Sequence, residues 1–420
     1  VVMTSRMHEA SDHPGWKRGF WSLMATQFQT AFSDNALKNL VILLVLGSAM
    51  PVEQRNTYVA LAGGLFAAPF ILFSMLGGWL ADRFSKAAVM RAVKQAEVGI
   101  MLFAAAALAF ESVWLQLTAV FLMGCHSAIF APSKYGILPE LLPHDRLSWG
   151  NGIFELLTFL GIIFGIAASG FLAEAFAGRQ EMSGLLLAAL AVLGWACSRG
   201  ITPVPAANPS CVPRINPVTD LWARLRLMRM DRDLWRASWG NAGFFFVAAL
   251  VQMNLVIHAQ DVLALSKSQN AYLTLSLALG IGFGSVTAGY ASRGRIEYRL
   301  VPAGAAGLAL CAVPLGLAGV GLTGFVLSLV GLGFFAGLFI VPIAAVLQHR
   351  PAPEDKGAVQ GAANVLSFVG ILGAAGVQWL ASTWLGLTSG ELFWACGAAA
   401  LATGAYAAIS RGRFIEAEPR

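Results

Sequence analysis

Long apolar runs, each bounded by a short polar or Gly/Pro-containing stretch, recur along the whole chain. They fall near 20–47, 57–81, 87–110, 113–131, 150–177, 182–201, 238–260, 270–291, 300–320, 322–347, 358–385 and 390–410. Crossing about 30 Å of hydrocarbon takes about 20 apolar residues in a helix. Runs of this length therefore predict twelve transmembrane helices. The 420 residues have room for twelve such spans and short loops.

Composition agrees. Hydrophobic residues make up 57% and charged residues 12%, against about 45–50% and about 25% in soluble domains, an excess that no soluble core absorbs. Residues 1–19 are polar, and Lys17 and Arg18 run directly into the first span without a short apolar core and small-residue cleavage site. No signal peptide is expected there. The net charge of +6 would suggest nucleic acid only if the basic residues formed a patch with aromatic partners. They lie between spans instead, so no nucleic-acid partner is expected. Cys125, Cys197, Cys211, Cys311 and Cys396 are scattered, which predicts neither a disulfide framework nor a metal site.

The loops divide by basic content. On the side of the termini lie Arg83, Lys86, Lys134, Arg146, the central segment, Arg293, Arg295, Arg350, Lys356, Arg411 and Arg413; opposite them stand Arg55, Arg179 and Lys267. Positive loops face the cytoplasm, which predicts a multi-pass protein with both termini cytoplasmic.

The halves echo each other. Arg83 and Arg293, Pro132 and Pro342, Pro143 and Pro353, and Asp145 and Asp355 are each 210 residues apart. One shift shared by loops and helix ends predicts parallel six-helix repeats that rock about a midplane site. The expected units are an N-terminal bundle over 1–201, a linker over 202–237 and a C-terminal bundle over 238–420. Pro203, Pro205, Pro209 and Pro213 predict an extended linker start. Residues 217–230 carry Leu221, Leu225 and Met228 at helical spacing beside Arg224, Arg226 and Arg229. They read either as a helix lying on the membrane or as a solvated linker helix.

Several polar residues interrupt the apolar runs. Gln27, Thr30, Asp34 and Lys38 share one face of the first span. A charge near the bilayer centre costs roughly 2.5–3.5 kcal/mol on insertion scales, so this face needs a cavity or a partner. Asp34 and Lys38 can also pair at i, i+4. Asn151 and Glu155 lie one turn apart after a predicted loop bearing Lys134, Tyr135 and Arg146. Glu155 can take a proton, pair with Lys134 or bind a cationic headgroup. Lys94 and Glu97 form a lower-ranked i, i+3 pair, and His126, Gln252, Asn254, His258, Gln360 and Asn364 read as helix–helix hydrogen bonds. A phosphate-binding GxxxxGK[ST] loop is absent from the sequence, so transport is expected to be passive or ion-coupled. Hydrolase motifs are absent too, and no enzyme activity, metal or cofactor is expected.

Gly77-Gly78-Trp79-Leu80-Ala81-Asp82-Arg83-Phe84-Ser85-Lys86 resembles the Gly-x3-Asp-Arg-x2-Arg/Lys loop of the major facilitator superfamily. The resemblance implies an all-α integral membrane fold of twelve transmembrane helices in two pseudo-symmetric six-helix bundles, the major facilitator fold. Gly78, Asp82, Arg83 and Lys86 are the gating-loop candidates, with the acid and two cations expected to form a charge cluster. The alternative is an ordinary positive loop. The second-half counterpart, Ser292-Arg293-Gly294-Arg295, lacks the acid.

Three further segments are similar to signatures of the bacterial lysophospholipid transporter family. They are Ala31-Phe32-Ser33-Asp34-Asn35-Ala36-Leu37; Ala131-Pro132-Ser133-Lys134-Tyr135-Gly136-Ile137-Leu138-Pro139-Glu140-Leu141 followed by Asn151, Gly152 and Glu155; and Gly333-Phe334-Phe335 with Val341, Pro342 and Ala345-Val346-Leu347-Gln348. The resemblance implies a flippase that carries lyso-phosphatidylethanolamine and lyso-phosphatidylglycerol to the cytoplasmic leaflet of the bacterial inner membrane for re-acylation. Implied partners are the lysophospholipid, membrane lipids and a cytoplasmic acyltransferase or acyl-carrier synthetase. Implied headgroup or charge-lock residues are Asp34, Asn35, Lys38, Lys134, Tyr135, Asn151 and Glu155. One departure is that residues 238–257 hold no Lys or Arg, where the family would place a basic residue. Two other readings stay open: a proton-coupled exporter of drugs or small amphiphiles, and a scaffold recruiting acyltransferases through the basic central helix.

Overall fold

The computed structural model describes residues 16–212, 216–265 and 267–408. Pro213, Arg411, Arg413 and the side chain of Lys267 lie outside what is described. The N-terminal bundle comprises α1 (Trp16–Gly47), α2 (Val52–Arg83), α3 (Lys86–Ala109), α4 (Val113–Leu141), α5 (Leu147–Ala175) and α6 (Glu181–Ser198). A linker helix, α7 (Pro217–Met230), precedes the C-terminal bundle of α8 (Arg232–Asp261), α9 (Lys267–Ala291), α10 (Leu300–Leu315), α11 (Leu322–His349), α12 (Lys356–Thr383) and α13 (Ser389–Ala408). Among the described residues, ten helices are long and apolar enough to span a membrane by length and composition alone. The other two bundle helices, α10 and α13, pack against each other within the C-terminal bundle.

Helix ends follow local chemistry. Asn216 caps α7 by accepting from the Val218 N–H at 3.0 Å, with Pro217 at the first helical position. Asp231 caps α8 by accepting from the N–H groups of Asp233 and Leu234, so α8 begins earlier than the predicted boundary at 238. The predicted span 300–320 is cut short at Leu315, where Pro314, Gly316 and Gly319 at φ +85° end the helix.

The fourth span corrects the sequence reading. Expected to stop at 131, it runs as helix to Leu141 with Pro132 and Pro139 inside it. Neighbouring helices make such interior prolines tolerable in a membrane bundle. Lys134 and Tyr135 therefore sit on a helix rather than in a loop, and Lys134 drops out of the tally of loop charges. The repeat is visible in short turns: 3₁₀ segments at His144–Arg146 and Pro353–Asp355 occupy matching places before α5 and α12.

Two seams join the bundles, α2 against α12 and α5 against α9. Glycines permit close approach at both. A Cβ on Gly78 would lie 2.6 Å from the Gly357 carbonyl oxygen, and one on Gly152 would lie 2.5 Å from that of Ser285. Both meetings are on the termini side. Farther away, Gly63 and Gly64 of α2 and Gly376 of α12 have nothing within 4 Å of a Cβ position. Residues 357–363 at the start of α12 are buried all round, whereas past 373 only Ala374, Gln378 and Ala381 are buried. The bundles thus close on the termini side and diverge toward the other.

Apolar packing differs between the bundles. A continuous cluster, including Phe244, Leu250, Leu308, Leu329 and Phe339, fills the C-terminal one. The N-terminal core is split into a termini-side cluster around Phe20, Met24, Met90 and Phe130 and a far-side cluster around Leu40, Met101, Leu108 and Val120. Between these heights, α1, α3 and α4 carry Gln29, Thr30, Asp34, Lys94, Glu97, His126 and Ser127.

Candidate substrate pathway

The closed end is held by polar contacts across both seams. Asn151 and Gln348 exchange hydrogen bonds through both amides, at 2.9 and 2.7 Å, in full burial. The Ser148 hydroxyl donates to the Arg295 carbonyl at 2.8 Å, and the Nε2 atoms of His144 and His349 lie 3.2 Å apart. Across the other seam, the Asn364 amide donates to Ser74 at 2.7 Å, and the rings of Phe70 and Phe368 stack with centroids 3.9 Å apart.

Immediately inside this closure lies a cavity of about 50 Å³ lined from both bundles. Tyr135 and Glu155 line it from the N-terminal side; Asn241, Gln348, Gln360, Asn364 and Ser367 face them, with Phe245, Ile340, Ala344, Leu347 and Ala363. That volume holds a few water-sized groups. Glu155 has no hydrogen bond or ion pair among the described residues. Lys134 interacts electrostatically with both Glu155 and Asp34 and lies beside the rings of Tyr135, Phe154 and Phe130 at 5.1, 5.7 and 5.9 Å. Cation–π attraction offsets part of its desolvation.

The polar layer of the N-terminal bundle is a connected chain. Ser127 donates to Asp34, with its hydroxyl 2.8 and 2.7 Å from the two carboxylate oxygens. His126 places Nδ1 3.4 Å from that hydroxyl and Nε2 3.1 Å from Glu97. Glu97 pairs with Lys94, which also donates to Gln29 and to Thr30. Lys94 and Glu97 have fully buried side chains. Their mutual neutralisation and added hydrogen bonds are what make such burial possible. The sequence ranked this pair low because its partners on α1 and α4 are invisible in local spacing.

Other predicted residues lie apart from this chain. Among the described residues no ion pair joins Asp34 to Lys38 or Lys134 to Glu155. Lys38 acts on Asp34 only through space, with its ammonium 5.0 Å from the Phe66 ring centre. Asn35 turns back on its own helix, donating to the Ala31 carbonyl at 2.9 Å, and stands at the α1–α5 contact beside Gly165. Gln27 donates to Thr158 of α5 at 2.9 Å.

Asp82 and Lys86 of the gating loop interact electrostatically, while their hydrogen bonds and those of Arg83 go to separate partners. Asp82 accepts from the backbone N–H groups of Gly357 at 2.6 Å and Ala358 at 2.8 Å, capping from the opposite bundle two first-turn donors of α12 that have no partner within their own helix. A carboxylate there also meets the favourable end of the helix dipole. Arg83 instead donates to the linker carbonyls of Pro209 and Cys211, and Lys86 pairs with Glu140 at 2.7 Å. Arg224 of α7 bridges to Asp355 before α12, so the linker helix braces the same end.

Two six-helix bundles meeting along paired seams around a polar cavity define a membrane transporter of the major facilitator class. The Major Facilitator Superfamily profile matches residues 23–375. Lysophospholipid transporters of Klebsiella pneumoniae and Cronobacter sakazakii are each 30% identical, over 344 and 339 residues, with 80% of this chain and 81% of each relative covered. Among solved structures, the human organic anion transporter MFSD10 matches with a TM-score of 0.78 at 17% identity, covering 94% of this chain and 100% of that one. The outward conformation of FucP matches with a TM-score of 0.70 at 14% identity, covering 93% and 98%. The chain belongs to the major facilitator superfamily and, within it, to the family of the bacterial lysophospholipid transporters. It is a transporter, not an enzyme.

Proposed function

We propose that the chain is a lysophospholipid flippase of the bacterial inner membrane. It moves lyso-phosphatidylethanolamine and lyso-phosphatidylglycerol to the cytoplasmic leaflet, taken as the termini side because the basic loops lie there, for re-acylation. The observation that carries the reading is the polar cavity between the bundles, sealed on the termini side and set among apolar helices. A single-tailed lipid needs a polar lane for its headgroup and an apolar wall for its chain, and rocking of the bundles exposes the lane to each side in turn. A cytoplasmic acyltransferase or acyl-carrier synthetase would consume the delivered lipid.

The test is uptake of labelled lyso-phosphatidylethanolamine by cells lacking their own transporter, with Asp34→Ala and Glu155→Ala at matched expression, with and without an uncoupler. Uptake that survives the uncoupler and fails in the variants supports a facilitated flippase. A second reading, a proton-coupled exporter of drugs or small amphiphiles, is favoured by the connected Asp34–Ser127–His126–Glu97 chain. No lipid uptake together with uncoupler-sensitive drug efflux would establish it instead.

A further inference from the structure

Two histidines face each other across the closed end of the bundles. His144 begins the short turn between α4 and α5 in the N-terminal bundle, and His349 ends α11 in the C-terminal one. Their Nε2 atoms lie 3.2 Å apart, with ring centroids 4.4 Å apart and planes at 86°. That contact is a hydrogen bond only when one nitrogen carries a hydrogen and the other a lone pair. Two imidazolium rings would instead set hydrogen against hydrogen and charge against charge. The other charges acting on His349 are Lys356 and Arg350, both cationic. Arg350 is held by Asp231 and Asp233, and Glu140 acts on Lys356. On the other side, Asp145 and Arg146 follow His144 and lie 3.7 Å apart. Gly294, between Arg293 and Arg295, faces this turn: a Cβ there would lie 3.3 Å from the Asp145 Cβ.

We propose that His144 and His349 form a proton-operated latch on the termini side: closure holds while the pair carries no more than one positive charge, and a second charge releases the bundles. The closed form therefore takes up fewer protons than the open one, in which the rings have parted, so acid shifts the equilibrium toward opening. Imidazole charging falls between about pH 5 and 8, and both rings can reach water, His144 being exposed and His349 half-buried. Their position gives the pair leverage. His349 directly follows Gln348, whose amide is bonded to Asn151, and His144 lies one turn before Ser148, which donates to the Arg295 carbonyl. Parting the rings loads both of these contacts. The latch belongs to the closure rather than to the cargo, so it stands or falls separately from lysophospholipid transport.

The experiment measures the distance between spin labels on opposite bundles, in the purified full chain in nanodiscs and a background lacking the native cysteines. Arg199→Cys at the end of α6 and Arg299→Cys before α10 carry the labels, both positions being exposed on the termini side. Going from about pH 7.5 to about pH 5.5, either side of the usual imidazole value, should raise the ratio of long to short distances by about fivefold or more. That is the scale of repulsion between two unit charges a few ångströms apart in water. The double variant His144→Gln, His349→Gln should stay closed at both values. His144→Asp should reverse the response, because acid then creates an attraction between the aspartate and a charged His349. A native pair that does not open in acid overturns the latch. So does acid opening that persists in the double variant, which would assign the response to another titrating group, or a His144→Asp chain that still opens in acid.

Discussion

The carboxylate of Asp82 on α2 accepts from the backbone N–H of Gly357 at 2.6 Å, so one bundle caps the first turn of a helix in the other. The bond exists only while the termini side is closed. Side-chain caps are worth about 0.5–2 kcal/mol. Asp82→Ala is therefore expected to shift the bundle equilibrium toward opening on that side by roughly 2–30-fold. In a background lacking the native cysteines, Ser74→Cys should then be labelled faster by an impermeant thiol reagent added from the termini side. Unchanged labelling would remove Asp82 from the closure.

Asn151 and Gln348 form a reciprocal amide pair in full burial. Replacing either alone by leucine strands the other amide at a cost of about 1–3 kcal/mol, whereas removing both relieves part of that penalty. A double-mutant cycle on thermal unfolding should give a coupling energy of about 1 kcal/mol or more. Additive effects would mean that water or another group replaces the missing partner.

Lys94 and Glu97 neutralise each other with fully buried side chains. Lys94→Met leaves a buried carboxylate uncompensated, which costs about 3–5 kcal/mol. It should reduce folded yield severely. The double variant Lys94→Met, Glu97→Met should recover much of that yield in detergent size-exclusion. Equal loss in both would argue that His126 or Gln29, rather than charge balance, holds the layer.

Outside the spans, Asp231 pairs with Arg350 at 2.6 Å and caps α8. Its partial burial opposes ionisation, but the bond from Arg350 and the capped N–H groups outweigh it and hold its pKa below the usual carboxylate value. A depressed folded-state pKa adds stability above the unfolded value, about 3.9, and that stability is lost as pH falls through the folded value. Asp231→Asn keeps the cap and removes the charge. It should lower thermal stability at pH 7, with the difference from the native chain shrinking below about pH 4. A difference that persists undiminished in acid would rule out the ion pair as its source.

The sequence made the architecture legible because each span is a local property. Apolar length, the 210-residue echo and the Asp82-Arg83 loop could all be read without knowing what touches what. The pathway was legible in part. Glu155 and Tyr135 were singled out and both line the cavity. Gln360 and Asn364 stood out only as polar spots, and Asn241 gave no signal beside the aromatic run that follows it. Lys134 was placed in a loop because Pro132 looked like a helix end, which surrounding helices overrode. Of the charges expected to cluster, Asp82 and Lys86 interact electrostatically, while the hydrogen bonds of Asp82, Arg83 and Lys86 go to three separate partners.

The sequence by itself determined where the chain crosses the membrane and how its halves repeat, because a backbone in hydrocarbon must satisfy its own hydrogen bonds within each helix. Tertiary structure alone decided which polar side chains meet. The partners are far apart in sequence: Gln29 with Glu97 at 68 residues, Asn151 with Gln348 at 197 and Ser74 with Asn364 at 290. Helical spacing fixes the face a residue occupies but not the helix opposite it.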